Sequence, residues 1–248
     1  MEETKTLEPI PELQQDYAAY SRADHKVWQI LYGRQMKKLP GKASAAFLTG
    51  LELVGFQERS IPDFNEVNKR LEKLTGWRLR GVPGIVDNRT FFEMLGRRLF
   101  PATTWLRSMA QLDYLEEPDM FHDVFAHVPL LANPDFCSFL EGLSRIASRW
   151  IENPEAVELL SRIYWYTVEF GLIKEDGELR IYGAGILSSN GESDYCLRAN
   201  LPRSPFNVVR IFQTPYIKEK YQEEYFFIEN YRQLNSSLPL IEKKLNAG

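Results

Sequence analysis

The sequence predicts a mainly α, single compact domain with a few short β-strands. Apolar residues recur at helical spacing through most long segments, and period-two alternation is confined to short stretches late in the chain. No internal repeat, low-complexity tract or long linker divides the 248 residues. A chain of this size buries roughly 70–75% of its unfolded surface, so it needs neither disulfide nor metal to hold a core.

Residues 1–15 read as a loose N-terminal tail, because Pro9 and Pro11 bar a helix and nothing apolar repeats. Residues 16–248 read as the domain. Tyr17, Tyr20, Val27, Ile30 and Leu31 share one side of a helix over Asp16–Leu39, stopped by Pro40-Gly41. A second helix runs over Ala43–Val54. Ser60 caps a third, which Pro62 opens and Phe64, Val67, Leu71 and Leu74 carry to Gly76. Trp77–Val82 suits a strand and Gly81–Gly84 a turn. Thr90–Leu99, Pro118–Leu131, Phe136–Trp150 and Glu155–Leu172 suit helices. Leu179–Tyr182 and Asn207–Phe212 suit strands around a Gly/Ser loop, and Tyr221–Leu234 a final helix.

Composition narrows the function. Lys and Arg number 30 against 34 Asp and Glu, for a net charge of −4, which excludes a strongly basic nucleic-acid binder. The first residues lack the apolar run of a signal peptide, and no stretch approaches the ~20 apolar residues of a membrane span. Two cysteines, Cys137 and Cys196, are too few for a disulfide framework; they read as buried packing residues in a reducing compartment. The expectation is a cytoplasmic protein that binds neither nucleic acid nor membrane. Aromatic residues reach 13%, and there are only three histidines.

Two of the three, His122 and His127, lie five apart in EEPDMFHDVFAHVPLL. Imidazole is a common ligand for iron and zinc. On a regular helix this spacing turns the rings about 140° apart. Pro129 disfavours helical geometry at Val128, so the helix should loosen there and let His127 swing toward His122. The alternative is a pair of ordinary helix-end histidines. Glu169 stands in RIYWYTVEFGLI, a segment apolar enough to be buried nearly all round. A carboxylate there is paired, protonated or bound to metal. Arg149 or Arg162 could pair with it. Two histidines and one carboxylate form the facial triad of non-haem iron(II) oxygenases, with open positions for other ligands. Asp123 beside His122 suggests a metal phosphohydrolase, but only His25 remains to fill the shell, and it sits in a polar, exposed-looking stretch. GAGILSSNG lacks dinucleotide-binding spacing, and its glycines suit close backbone approach.

These blocks together, EPDMFHDVFAHVPLL, IYWYTVEFGL and YGAGILSSNGE, in this order, resemble the pterin-dependent aromatic amino acid hydroxylases, most of all their short bacterial phenylalanine-hydroxylating members. The resemblance runs from about Tyr20 to Tyr195, with an extension toward Leu234. It implies a catalytic domain over 16–248 in which His122, His127 and Glu169 hold Fe(2+) beside tetrahydrobiopterin or a related tetrahydropterin. It implies phenylalanine 4-monooxygenase activity, converting L-phenylalanine to L-tyrosine with O2. Arg107 matches the grip on the substrate carboxylate, Asp119 its partner, and Ser188 a serine near that carboxylate. Pro118 and Trp165 match residues against the substrate ring; Trp165, four before Glu169, shares its helix face. Phe91 matches the aromatic that stacks on the pterin. Gly84, Val86, Asp123 and Tyr164 match other pterin-side positions. Pro101 replaces a histidine and Leu115 a threonine of animal members. Ala126 replaces the usual glycine, implying a tighter helix end. With no regulatory domain or heptad helix in the sequence, a monomer is expected, and its partners are small molecules. Tryptophan or tyrosine hydroxylation, a histidine-metal hydrolase such as a zinc enzyme, and a non-catalytic binding protein remain alternatives.

Overall fold

The computed structural model describes residues 13–247 apart from Tyr114 and Glu219. Helices dominate, as the apolar spacing requires. Helix α1 (Arg22–Met36) starts at Ser21, whose hydroxyl accepts from Asp24 N while Asp24 accepts from Ser21 N, a reciprocal cap. Helix α2 (Ala45–Val54) is capped by Ser44 and α3 (Phe64–Leu74) by Asp63. Strand β1 (Arg78–Val82), α4 (Asn88–Gly96) and strand β2 (Leu99–Thr103) form a unit in which β1 and β2 pair in parallel. Helices α5 (Pro134–Trp150) and α6 (Pro154–Tyr164) each open on an Asn cap followed by Pro.

Strands β3 (Leu172–Glu175) and β4 (Glu178–Ile181) form a hairpin. Its Asp176-Gly177 turn has φ of 51° and 83°, which Asp-Gly tolerates. After α7 (Ala184–Ser188) and α8 (Glu192–Tyr195) come β5 (Arg203–Pro205), α9 (Val208–Gln213), β6 (Tyr225–Ile228) and α10 (Tyr231–Leu245). The second sheet has the order β4-β3-β6-β5.

The core is centred on the histidine segment. Met120, Phe121, Val124, Phe125, Ala126 and Val128 have no solvent exposure. Phe121 stacks on Phe125 at 4.6 Å, Trp28 of α1 meets Phe121 edge-on at 5.6 Å, and Phe47 of α2 meets Phe125 at 5.8 Å. Each such ring contributes about 1.5–3 kcal/mol on burial. Helix α2 reaches the segment because Gly50 has no side chain: a Cβ there would lie 2.1 Å from Pro129 O. The apolar half of this segment thus binds it to α1 and α2 and leaves the histidines on the other side.

Several elements depart from the sequence expectations. The third helix begins after Asp63, whose carboxylate accepts from Asn65 N, so Ser60 and Pro62 precede it. The fourth helix stops at Gly96, and Leu99, its expected last residue, instead begins β2, whose Pro101 pairs opposite Arg80 at a sheet edge, where a missing N–H is tolerated. Asn207–Phe212 is helical rather than extended, because Asn207 caps α9 by accepting from Arg210 N. The expected loop after Gly183 contains α7. The expected Tyr221–Leu234 helix divides into β6 and α10, the latter capped by Asn230. Of the expected tail, residues 1–12 lie outside the described residues; Leu13 donates to Gly81 O at 3.0 Å and Gln15 to Pro62 O at 2.9 Å. No helix among the described residues is long and apolar enough to cross a membrane.

Candidate active site

The two histidines meet because their segment is a π-helix over Phe121–His127. Its wider turn bonds i to i+5, so side chains five apart share a face. His122 and His127 Nε2 atoms approach to 3.3 Å. The expected loosening at His127 is therefore replaced by widening of the whole turn over Phe121–His127, and a tighter 3-10 turn over Val128–Ala132 follows it directly. A second π-helical turn, Trp165–Glu169, follows α6, with Phe170 N donating to Trp165 O at 2.8 Å. It delivers Glu169, with Oε1 3.2 Å from His127 Nε2 and Oε2 3.6 Å from His122 Nε2. One ligand atom from each residue lies within 4.8 Å of the others.

Gly183 makes room for this carboxylate's backbone: a Cβ on it would lie 2.4 Å from Glu169 O. The close approach expected of these glycines is thus present. Neither arginine pairs with Glu169. Arg149 pairs with Glu242, and Arg162 with Glu158 at 3.0 Å. His25 is half-buried, edge-on to Tyr17 and Tyr20, rather than exposed, and takes no part in the cluster.

The electrostatics suit a cation. Burial lowers the His122 pKa more than Glu169 raises it, which favours the neutral, ligating imidazole. Burial pushes the Glu169 carboxyl up, but His127 and His122 outweigh it, and the group lies below its usual range. The Ser188 hydroxyl donates to Ala184 O at 2.9 Å, so toward His122 Nδ1, also at 2.9 Å, it accepts. The His122 proton then sits on Nδ1, and the Nε2 lone pair faces His127 and Glu169. Two imidazole nitrogens and a carboxylate converging on one point form a set that fits a divalent metal such as iron.

Around the cluster is a cavity of about 590 Å³, lined by Gly84, Val86, Phe91, Arg107, Pro118, His122, Asp123, His127, Tyr164, Trp165, Glu169 and Ser188. Asp119 lies behind it with no exposure, accepting from Arg107 Nε at 2.9 Å, Arg107 Nη2 at 2.8 Å and Arg107 N at 3.0 Å. Burial raises the Asp119 carboxyl, but Arg107 outweighs it and the net shift is downward. Asp119 also accepts from His122 N at 3.2 Å, coupling the arginine to the first metal-side residue. Phe91 meets Tyr164 edge-on at 5.2 Å. Asp123 accepts from Thr103 N at 2.8 Å, and burial pushes its carboxyl up. The Tyr164 phenol is likewise raised by burial.

Sequence reasoning missed Glu192, Tyr216 and Gln222. Glu192 and Tyr216 line the cavity, and Gln222 bonds Trp165. Glu192 lies inside the SSNGE block, where a carboxylate after glycine was a usable signal; nothing local distinguished the other two. Cys137 and Cys196 are buried free thiols, as expected of packing residues, with Cys196 at the end of α8.

Fold and site together define a mononuclear-metal enzyme, with two histidines and a glutamate at the floor of an aromatic-walled cavity. The sequence profile of the biopterin-dependent aromatic amino acid hydroxylases matches residues 3–247, and the chain belongs to that family of iron-containing monooxygenases. The phenylalanine-4-hydroxylase of Chromobacterium violaceum is 48% identical over 223 residues, covering 90% of this chain and 75% of that protein. A cobalt-bound crystal structure of the phenylalanine hydroxylase from that organism superposes with a TM-score of 0.91 at 44% identity, over 96% of this chain and 88% of the other. Its structure with iron(III) and the oxidised cofactor 7,8-dihydrobiopterin gives 0.89 at 45% identity, over 96% and 87%. Membership sets aside the hydrolase alternative.

Proposed function

We propose that this chain is a phenylalanine 4-monooxygenase in which His122, His127 and Glu169 hold ferrous iron. The observation that carries the reading is the convergence of their three ligand atoms within 4.8 Å, on two π-turns, beside the buried Arg107–Asp119 fork. The relatives named phenylalanine-4-hydroxylase support the substrate. Iron and tetrahydropterin, when bound, supply the activation of dioxygen.

The protein's own residues bind, orient and exclude water. Arg107 spends two side-chain N–H bonds on Asp119 and keeps three for the substrate carboxylate. Pro118 and Trp165 hold the substrate ring, with Leu115 adding an apolar surface. Phe91 stacks on the pterin, while Gly84, Val86, Asp123 and Tyr164 complete its side of the cavity. Ser188 keeps the His122 proton on Nδ1, away from the metal, and lies near the substrate carboxylate. Aromatic walls keep water from competing with the ring for oxidant. We also infer a cytoplasmic monomer whose partners are small molecules, not nucleic acid or membrane; the net charge of −4 supports the exclusion of nucleic acid.

The deciding experiment is anaerobic reconstitution with Fe(II), then addition of oxygen, tetrahydropterin and, separately, phenylalanine, tyrosine and tryptophan, with products identified by mass. Tyrosine formed fastest from phenylalanine is the expected result. Faster hydroxylation of another amino acid would reassign the substrate, and no oxygen-dependent product would refute the reading.

A further inference from the structure

Trp165 packs against two other rings. Its ring stacks on Tyr216 at 4.5 Å with 21° between planes and leans on Phe170 at 4.6 Å. Stacking is tolerant of sliding and of rotation in the ring plane. The directional restraint is the indole N–H, which donates to Gln222 Oε1 at 2.9 Å. Gln222 is only 4% exposed. Its Nε2 donates to the carbonyls of Ile217 and Lys220 at 3.1 and 3.4 Å, so the amide has one satisfactory orientation, with its oxygen toward the indole.

The backbone of Gln222 is held as well. Its N–H donates to Glu192 Oε1 at 3.1 Å, and that oxygen also accepts from the Tyr225 hydroxyl at 2.7 Å. Glu192 is 5% exposed, and burial pushes its carboxyl above the usual range. It opens α8, shortly after Ser188, the residue that orients His122. One short segment therefore reaches the metal side through Ser188 and the Trp165 wall through Glu192.

Resting on the reading of Trp165 as the wall for the substrate ring, we propose that Gln222, anchored by Glu192, is a positioning residue for hydroxylation. It fixes the indole in its plane through the N–H bond and ties the carbonyls of Ile217 and Lys220 to the same point. By doing so it sets how much of the pterin oxidised ends in hydroxylated amino acid. Small displacements of a reacting group cost large factors in rate, whereas pterin oxidation does not depend on this wall.

The test uses the full iron-loaded chain in four forms: parent, Gln222→Met, Trp165→Phe and the double variant. Readouts are tyrosine formed per pterin oxidised, half-saturation for phenylalanine and for pterin, and iron content. Gln222→Met should lower the ratio and raise the phenylalanine half-saturation about five-fold, the worth of one net hydrogen bond. Pterin half-saturation and iron content should stay at parental values, which general loosening of the site would not allow. Trp165→Phe, which keeps a ring and loses the N–H, should do the same, and the double variant should be no worse than either single one. A parental ratio in Gln222→Met, or losses that add in the double variant, overturns the proposal. If Gln222→Met gives no soluble protein, Trp165→Phe decides alone, and a parental ratio in it overturns the proposal. Trp165→Ala separates the two levels: an unchanged ratio there refutes the wall itself. A lowered ratio there, with parental values in Trp165→Phe and Gln222→Met, refutes only the role of Gln222.

Discussion

Replacing Arg107 with lysine keeps the charge and removes the fork. Arg107 and Asp119 are nearly sequestered, with side-chain exposures of 10% and 0%. Arginine holds both carboxylate oxygens, through Nε at 2.9 Å and Nη2 at 2.8 Å, and still presents its remaining N–H groups to the cavity. An ammonium is a point donor and cannot satisfy Asp119 and a substrate carboxylate in the same planar arrangement. The loss is at least one hydrogen bond to a charged group, about 1.5–3 kcal/mol. At 1.4 kcal/mol per tenfold, phenylalanine binding should weaken roughly 10- to 150-fold. Iron should remain, because Asp119 still accepts from His122 N and from the backbone N–H of residue 107. The assay is the phenylalanine half-saturation at saturating pterin, with iron measured on the same preparation. An unchanged half-saturation with full iron would refute Arg107 as the carboxylate grip. Loss of iron would show instead that the pair acts mainly on the π-turn.

Three further outcomes are expected. His122→Ala or His127→Ala should abolish iron binding and hydroxylation and leave far-UV circular dichroism close to parental, since two ligands no longer enclose the ion while the core lies on the other face of the turn; full activity after iron loading would contradict the ligand set. Gly183→Ala forces a Cβ to 2.4 Å from Glu169 O and 2.5 Å from Gly171 N. Denaturant unfolding should show a loss of about 1–3 kcal/mol, the usual range for overpacking, together with weaker iron binding. Burial pushes both thiols, Cys137 and Cys196, up to about 12, so neither should react with a thiol reagent at pH 8 in the native protein, and both should react after denaturation.

The sequence by itself determined the helices that carry their own signals. Asn153 before Pro154 marks the start of α6, and the apolar stripe of α3 repeats at helical spacing. It also pointed to the candidate site, because histidine is scarce and Glu169 stands alone among apolar residues, where a carboxylate is paired, protonated or bound to metal. Winding was not legible. Spacing by five separates His122 and His127 on an α-helix and joins them on a π-turn. A π-turn is rare in isolation, and here it is stabilised by Phe121 and Phe125 packing on Trp28 and Phe47, residues distant in sequence. Strand β2 escaped notice because Pro101 argues against a strand until a parallel partner leaves it at an edge. Gln222 escaped for the same kind of reason: it bonds Trp165 across 57 positions of chain and Glu192 across 30. Local propensity and residue chemistry act over a few neighbours, so they are written in the sequence; which distant groups complete a turn or brace a ring is decided only when the core closes.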